Sequence, residues 1–233
     1  MEKRGLGHLE AILSFVIFIG FLIFAFFFFS PFSSNRTLDS TLTYAINELE
    51  DHAQVDVESY SVVLDESVST GTDVGININY ELENVKERVE NSDGESIVSG
   101  ISGTIIYFAV PVKKFVTVKL SEDYDSSDLT SVNILDSGLY HISSSDKTKF
   151  FSEKKFLELN ESYYSAYNEL KEGFNLPGRV DFAFEVVFDD GTRITSTKDV
   201  PEGLEVLSNQ KRIEIIRKET GDKEFANLIT KVW

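Results

Sequence analysis

The sequence predicts an α+β protein, mainly β, in which a single N-terminal transmembrane helix precedes an antiparallel β-sandwich-like domain with one inserted helix. Three observations lead to this prediction. Residues 11–29 (AILSFVIFIGFLIFAFFFF) are apolar and carry no charge. Much of the chain beyond residue 52 alternates apolar and polar residues with a period of two, which is typical of half-buried strands. Glycine-containing turn signals separate the last of these segments, which is typical of hairpins.

The apolar run has the length of a membrane-spanning helix. At about 1.5 Å of rise per residue, residues 11–29 form a helix of roughly 28 Å, close to the thickness of the hydrocarbon core of a bilayer. A cleaved secretory signal has a shorter apolar run of about 7–15 residues and a small-x-small cleavage site. No Ala-x-Ala pattern occurs between Ala25 and Asn35. We therefore expect the run to stay attached to the mature protein.

The leader before this run carries a second pattern. Lys3 and Arg4 directly precede Gly5, and Glu10 lies five places beyond Gly5. In these first 30 residues the chain resembles the archaeal type IV pilin-like proteins that have class III signal peptides. In that family a prepilin-type peptidase cuts on the cytoplasmic side of the apolar run. The resemblance implies cleavage after Gly5, with Leu6 as the new N-terminus and Glu10 at mature position five.

Glu10 has two interpretations, and the sequence leaves both open. A carboxylate that is carried deep into a bilayer costs up to about 3 kcal/mol, so Glu10 should reach the headgroups or meet a positive partner. Cleavage would create such a partner, the α-amine of Leu6, and a pair between two subunits would fix the stagger of their helices. Alternatively, Glu10 is an acidic residue in a first helical turn, stabilised by the helix dipole.

Composition excludes several classes of function. The chain has a net charge of -17 and no cysteine. The first thirty residues hold two acidic and two basic residues, so all of the net negative charge belongs to the rest of the chain. Such a domain repels phosphate backbones, so we expect no nucleic acid among its partners. The absence of cysteine excludes disulfides and thiol chemistry.

No catalytic or metal-binding arrangement is predicted. The histidines are far apart in the chain and none has a partner at ligand spacing; they are His8, His52 and His141. Residues 121–131 form an acidic segment, but it lacks the glycine and the distal glutamate of an EF-hand, so a solvated loop is expected. We therefore predict no cofactor, no metal and no enzymatic activity. Four aromatic residues at helical spacing indicate core packing more than a ligand platform; they are Tyr163, Tyr164, Tyr167 and Phe174.

Charges beside the apolar run predict its orientation. Lys3 and Arg4 precede the run and only Arg36 follows it closely, so the N-terminus is expected in the cytoplasm and the large domain outside, at the cell surface. Two glycosylation sequons agree with that location, at Asn35 and Asn160. Each pattern occurs often by chance, and an unmodified surface loop remains the alternative at both positions.

The chain divides into a leader (1–5), an apolar helix (6–30), a linker (31–36) and a β-rich domain (37–233) that begins with an amphipathic helix. The expected segments of that domain are a helix at 37–52, strands at 55–64, 74–82 and 104–120 with a break at Pro111, a loop at 85–96, short strands at 132–142 and 147–159, a helix at 163–174, and hairpins at 180–197 and 204–233. The terminal Trp233 is expected to be buried.

Two functions fit these predictions. The first is a cell-surface structural subunit that resembles a type IV pilin and assembles with copies of itself or with other pilin-like subunits through its apolar helix. The second is a membrane-anchored ectodomain that does not polymerise and binds a partner or an envelope polymer. The identity of the mature N-terminus separates the two.

Overall fold

A computed structural model of the chain describes residues 3–28, 33–78, 85–124, 129 and 132–233. Within α1 and α2, the side chains of residues 3–11, 26–28 and 33–37 lie outside that description. The fold is α+β and mainly β, as predicted. In the part of the chain that is described, no helix is both long enough and apolar enough to cross a membrane.

The described residues contain four helices and thirteen strands. The helices are α1 (Lys3–Phe28), α2 (Ser33–Ala53), α3 (Glu153–Ser165) and α4 (Tyr167–Gly173). The strands are β1 (Gln54–Leu64), β2 (Asp73–Asn77), β3 (Lys86–Asn91), β4 (Ser96–Ile97), β5 (Ser99–Ser102), β6 (Ile105–Ala109), β7 (Phe115–Ser121), β8 (Asn133–Ile134), β9 (Tyr140–Ser152), β10 (Phe182–Phe188), β11 (Arg193–Ser196), β12 (Leu207–Ile216) and β13 (Lys223–Val232).

The strands form two sheets. A curled nine-stranded sheet has the order β11-β10-β13-β12-β9-β1-β7-β3-β4, and a four-stranded sheet has the order β5-β6-β2-β8. Neighbouring strands are antiparallel except at two places, where β9 pairs with β12 and where β2 pairs with β8. The predicted antiparallel architecture therefore holds for most of the domain.

One half of the large sheet is covered by helices, and we call it the helix-covered half: β10 to β13 with α2, α3 and α4. The apolar side of α2, with Leu42, Ala45 and Leu49, is buried there against the sheet. Aromatic rings fill much of the space between helices and strands. They are Phe151, Phe156, Tyr163, Phe174, Phe182, Phe184 and Phe188.

The other half is covered by the second sheet, and we call it the sheet-covered half: β1, β3 and β7 facing β2 and β6. Its core is built mainly from β-branched side chains. Examples are Val62, Val89 and Val118 on the large sheet, and Ile76 and Ile106 on the small sheet, all of them fully buried. β-branched residues suit this layer because they pack well on a pleated surface.

The two halves meet where β9 pairs with β12. The pairing covers two residue pairs, Ile215 with Phe151 and Ile216 with Ser152. A small apolar cluster lies at this seam; it consists of Val55, Val57, Tyr124, Phe150 and Ile216. Arg88 of β3 also crosses the seam, because its guanidinium donates to the carbonyl of Thr220 and to the carboxylate of Asp222 in the β12–β13 turn.

The predicted hairpins and the amphipathic helix are confirmed. Strands β10 and β11 flank the turn at Gly191, and β12 and β13 flank the turn at Gly221, each glycine having a positive φ, of 87° and 67°. The predicted helix at 37–52 is α2, which begins earlier, at Ser33. Trp233 is 6% exposed, so its predicted burial is also confirmed.

Two predictions for the middle of the chain are wrong. Residues 85–96 are not a loop, since β3 pairs with β7 along its length and buries Val89 completely. The strand predicted at 147–159 ends at Ser152, where α3 begins. Ser152 caps that helix, its hydroxyl accepting a hydrogen bond from the N–H of Lys155 at 3.1 Å. The inserted helical segment is therefore two helices, α3 and α4, rather than one.

Candidate functional site

The described side chains of α1 expose an apolar surface on every side of the helix. Between residues 12 and 24, only Ser14 and Gly20 are not large apolar residues. The large side chains are each between 36% and 65% exposed. They are Ile12, Leu13, Phe15, Val16, Ile17, Phe18, Ile19, Phe21, Leu22, Ile23 and Phe24. At 100° per residue, these side chains together cover the full circumference of the helix.

Such a surface requires an apolar environment. Covering one large apolar side chain that is exposed to water is worth about 1.5–3 kcal/mol. A helix that is hydrophobic all round is stable only when lipid or other helices surround it. The chemistry available to α1 is therefore insertion into an apolar phase, packing against other helices, or both.

The predicted leader residues lie in the first turns of α1. The helix begins at Lys3, so it includes Arg4, Gly5 and Leu6, and the proposed cleavage bond lies within it. Leu6 and Glu10 are four residues apart on this helix and therefore share one face. Their side chains lie outside the described part of the structure, and both the cleavage and the pairing remain predictions.

Helix α2 connects this apolar helix to the β domain. Ala45, Leu49 and Ala53 are fully buried against the helix-covered half. On its outer side Glu50 forms an ion pair with Lys211 of β12. α2 is thus fixed to the sheet along the second half of its length, and it leads directly into β1.

The two predicted glycosylation residues both lie on helices. Asn35 is in the first turns of α2, and its side chain lies outside the described part of the structure. Asn160 is on α3, where its amide nitrogen donates hydrogen bonds to the carbonyl of Thr195 (2.7 Å) and the hydroxyl of Ser196 (2.8 Å). Asn160 therefore holds α3 to the edge strand β11. Glycosylation there stays a prediction, and it would displace at least one of these bonds.

The acidic segment 121–131 was predicted to be a solvated loop, and this is wrong for its start, where Ser121, Asp123 and Tyr124 are buried. Residues 125–128, 130 and 131 lie outside the described part of the structure. The side chain of Asp123 is 2% exposed, and its carboxylate accepts a hydrogen bond from the Ser152 hydroxyl that caps α3. Lys154 lies 3.5 Å from the same carboxylate, and Lys155 pairs with Glu122 at 3.1 Å. These contacts hold the start of α3. Among the described residues, no group of three or more His, Cys, Asp or Glu side chains is placed to bind a metal ion.

The tyrosines of α3 and α4 differ in burial. Tyr163 is 1% exposed and donates a hydrogen bond to the carbonyl of Phe182 at 2.7 Å, which confirms the predicted core packing. Burial raises the pKa of Tyr163 and of Tyr167. Tyr164, by contrast, is 62% exposed, so the predicted core packing is wrong for this residue.

An open depression of about 510 Å³ lies beside Tyr164 and Tyr167. The ammonium of Lys198 sits over the Tyr167 ring, 3.2 Å from its centroid. Lys198 follows β11 and Tyr167 begins α4, so their contact depends on tertiary packing and leaves no local signal in the sequence. Comparison of the chain with protein-family models, with curated proteins and with solved structures finds no match. Function is therefore inferred from α1, α2 and the surface of the β domain.

Proposed function

We propose that the protein is a cell-surface structural subunit resembling a type IV pilin, which assembles through its apolar N-terminal helix. The observation that carries this proposal is the apolar surface around α1 between residues 12 and 24. A compact β domain fixed to α2 would be soluble alone, whereas α1 requires lipid or other helices around it. The domain, with its two facing sheets, is the sandwich-like head of the proposed subunit.

The apolar sequence is longer than the described apolar surface. Residues 11–29 extend beyond the described side chains at both ends and would span roughly 28 Å as a helix. The basic residues Lys3 and Arg4 precede this run and favour a cytoplasmic N-terminus. The head, which holds the whole net charge of -17, then lies outside the cell as a single-pass membrane protein.

Assembly is proposed to depend on Glu10. Removal of residues 1–5 by a prepilin-type peptidase would give Leu6 a positively charged α-amine. In a bundle of apolar helices, a carboxylate without a partner is strongly unfavourable, so Glu10 of one copy would pair with the amine of a neighbour. This pair would set the axial position of each subunit relative to the next.

The test begins with the mass of the N-terminal peptide of protein isolated from its native membrane. We expect the chain to begin at Leu6. Assembly is then measured by disulfide crosslinking of an Ile17→Cys variant, since the natural chain has no cysteine to interfere. Glu10→Ala on that background should remain in the membrane and lose the crosslinked species. The matched control is Asp39→Ala, which removes an exposed carboxylate from α2.

Two outcomes would contradict the proposal. An intact Met1 on the protein in its own membrane would exclude processing after Gly5. Equal crosslinking in the Glu10→Ala and Asp39→Ala variants would exclude the carboxylate–amine pair as the basis of assembly.

The second candidate is an anchored ectodomain that does not polymerise and binds a partner or an envelope polymer. It is favoured by the depression beside Tyr164 and Lys198, which combines an exposed aromatic ring with a cation. Retention of Met1 together with the absence of Ile17→Cys crosslinks would favour this candidate over the pilin-like subunit.

A further inference from the structure

The strand registers show which end of the helix-covered half faces α1. Leu207 and Phe182 both pair with Val232, so β12 and β10 begin at the end where β13 finishes. Helix α2 finishes at the opposite end, because Gln54, which follows it, pairs with Phe151. Phe151 in turn pairs with Ile215, near the end of β12.

Helix α2 therefore runs back along the sheet toward the end where β12 begins. Leu38 and Leu207 are partly buried against the same core, in agreement with this arrangement. Ser33, the first residue of α2, lies about 7.5 Å further along the helix axis than Leu38. The chain from α1 thus enters the domain at the end marked by Leu207, and we call this end the base.

The connection between β11 and β12, residues 197–206, lies at the base, and we call it the base loop. All of its residues are exposed. Three of them are apolar residues on the surface: Val200 at 40%, Leu204 at 53% and Val206 at 40% exposure. Tyr164 adjoins the loop, since its hydroxyl accepts a hydrogen bond from the N–H of Thr197 at 3.3 Å.

Single exposed apolar residues are normal on a protein surface, but the base loop carries three within seven residues. They are grouped at the end of the domain where the apolar helix enters. Tyrosine is enriched where a protein meets the membrane–water interface, because its ring is apolar and its hydroxyl is polar. The composition of the base therefore fits a surface that contacts lipid headgroups.

The length of the connection permits this contact. The four steps from Phe29 to Ser33 span at most about 14 Å even when fully extended. Ser33 to Leu38 adds about 7.5 Å along α2. The headgroup layer on each side of a bilayer is about 5–8 Å thick. A modest tilt of the domain brings the base loop to that layer when the apolar run ends at the edge of the hydrocarbon.

We propose that the base loop rests on the headgroups of the outer leaflet and inserts Leu204 among them. The loop contains Asp199, Glu202 and Glu205 against Lys198, so it is net negative and selects zwitterionic rather than anionic headgroups. This inference rests on the membrane anchoring in the proposed function, but it does not require assembly. Contact with the bilayer would hold the domain at a fixed angle to the apolar helix.

The experiment uses the full chain in phosphatidylcholine vesicles that contain a nitroxide on the lipid headgroup. A bimane fluorophore is attached at Leu204→Cys, and the matched control carries it at Glu219→Cys, an exposed turn residue at the opposite end of the same half. We expect quenching at position 204 to be several-fold stronger than at position 219. Replacing part of the phosphatidylcholine with phosphatidylglycerol should weaken the quenching at position 204.

Three results would overturn the inference in distinguishable ways. Equal quenching at both positions, in a chain that floats with the vesicles, would remove the base contact and leave the anchoring intact. A chain that does not float would remove the anchoring itself. Quenching at position 204 that disappears as the protein is diluted in lipid would show that a neighbouring copy, not the headgroups, brings the label to the quencher.

Discussion

The two halves of the large sheet are covered in different ways, and their cores differ accordingly. In the helix-covered half, the space between rounded helices and the sheet is filled by rings such as Phe156, Phe182 and Phe184. In the sheet-covered half, two pleated surfaces face each other and valines such as Val62 and Val118 fill the layer. Side-chain shape therefore follows the element that covers the sheet, although the sheet is continuous.

The halves also differ in how they are held together internally. Each aromatic ring buries about 150–250 Å², so a few rings dominate the energetics of the helix-covered half. In the valine core of the sheet-covered half, stabilisation comes instead from many small contacts. Because β9 and β12 join the halves through only two residue pairs, one half can open with less disturbance of the other than in a fully paired sheet.

The largest expected effect comes from removing a ring at the centre of the helix-covered half. Phe182 is fully buried, and its ring centroid lies 5.3 Å from Phe174, 5.5 Å from Tyr163 and 5.7 Å from Tyr167. Phe182→Ala should lower the free energy of unfolding by about 3–5 kcal/mol. The measurement is a urea titration of the full chain in detergent, followed by the fluorescence of Trp233, the single tryptophan.

Val118→Ala is the matched variant in the sheet-covered half, where Val118 is also fully buried. It removes less apolar volume and should cost about 2 kcal/mol. Hydrogen exchange followed by mass spectrometry then compares peptides from β10 and from β7. Each variant should speed exchange most in its own half. Equal acceleration in both halves by either variant would show that the domain opens as one unit.

The helix-covered half was also the more predictable from sequence. Its hairpins carry local turn signals, Asp190-Gly191 and Thr220-Gly221, and both glycines have the positive φ that such turns require. Ser152 is a favoured N-cap residue, and apolar residues follow it at helical spacing: Phe156, Leu159 and Tyr163. This pattern indicates a helix, and the prediction of a strand at 147–159 did not take it into account.

Strand β3 could not be predicted in the same way. Four of its six residues are charged, which favours a loop when the segment is considered alone. Arg88 and Glu90 pair with each other, and both also have distant partners: Arg88 binds Thr220 and Asp222, and Glu90 binds Lys119 of β7. Partners so far away in sequence leave no local pattern. The leader and Glu10 are the reverse case, a clear local pattern whose function remains a prediction.

The next effect in size tests the seam between the halves. The Arg88 side chain is only 10% exposed. Arg88→Met keeps its aliphatic stem and removes the guanidinium. The loss of its hydrogen bonds should cost about 1–2 kcal/mol and speed hydrogen exchange in the turn at 218–222. Asp222 is 56% exposed, so the Arg88–Asp222 ion pair adds little to this cost. The Arg88–Glu90 pair within β3 is lost as well, but Glu90 keeps its pair with Lys119.

Arg193→Met is the matched control for the seam. Its ion pair with Glu185 joins two neighbouring strands of one half, and its side chain is 61% exposed. We expect a change within about 0.5 kcal/mol and no effect on the 218–222 turn. If Arg88→Met changes stability and exchange no more than this control, Arg88 does not couple the halves.

The smallest expected effect is a loss of stability in acid. The two halves differ here because the carboxylate of the helix-covered half, Asp181, pairs with a buried cation, Lys171. Asp181 accepts hydrogen bonds from the Tyr167 hydroxyl (2.9 Å) and the Lys171 ammonium (3.1 Å). Burial alone would raise the pKa of Asp181, but these hydrogen bonds and the charge of Lys171 hold it below its ordinary value of 3.8. In the sheet-covered half, hydrogen bonds from the hydroxyl and amide of Ser67 lower the pKa of Asp65 in an exposed turn.

A carboxyl group whose pKa is lower in the folded state stabilises the fold fully above the unfolded value, and this contribution is lost as pH falls through the folded value. Below about pH 4, protonation of Asp181 therefore weakens the partnership with Lys171, which is only 8% exposed. Urea titrations at about pH 6 and about pH 3, followed by Trp233, should show that Asp181→Asn reduces the acid sensitivity. Asp199→Asn removes the same charge from the exposed base loop and controls for the net charge of the chain. An equal reduction in both variants would mean that general repulsion, rather than the Asp181–Lys171 pair, sets the acid stability of the helix-covered half.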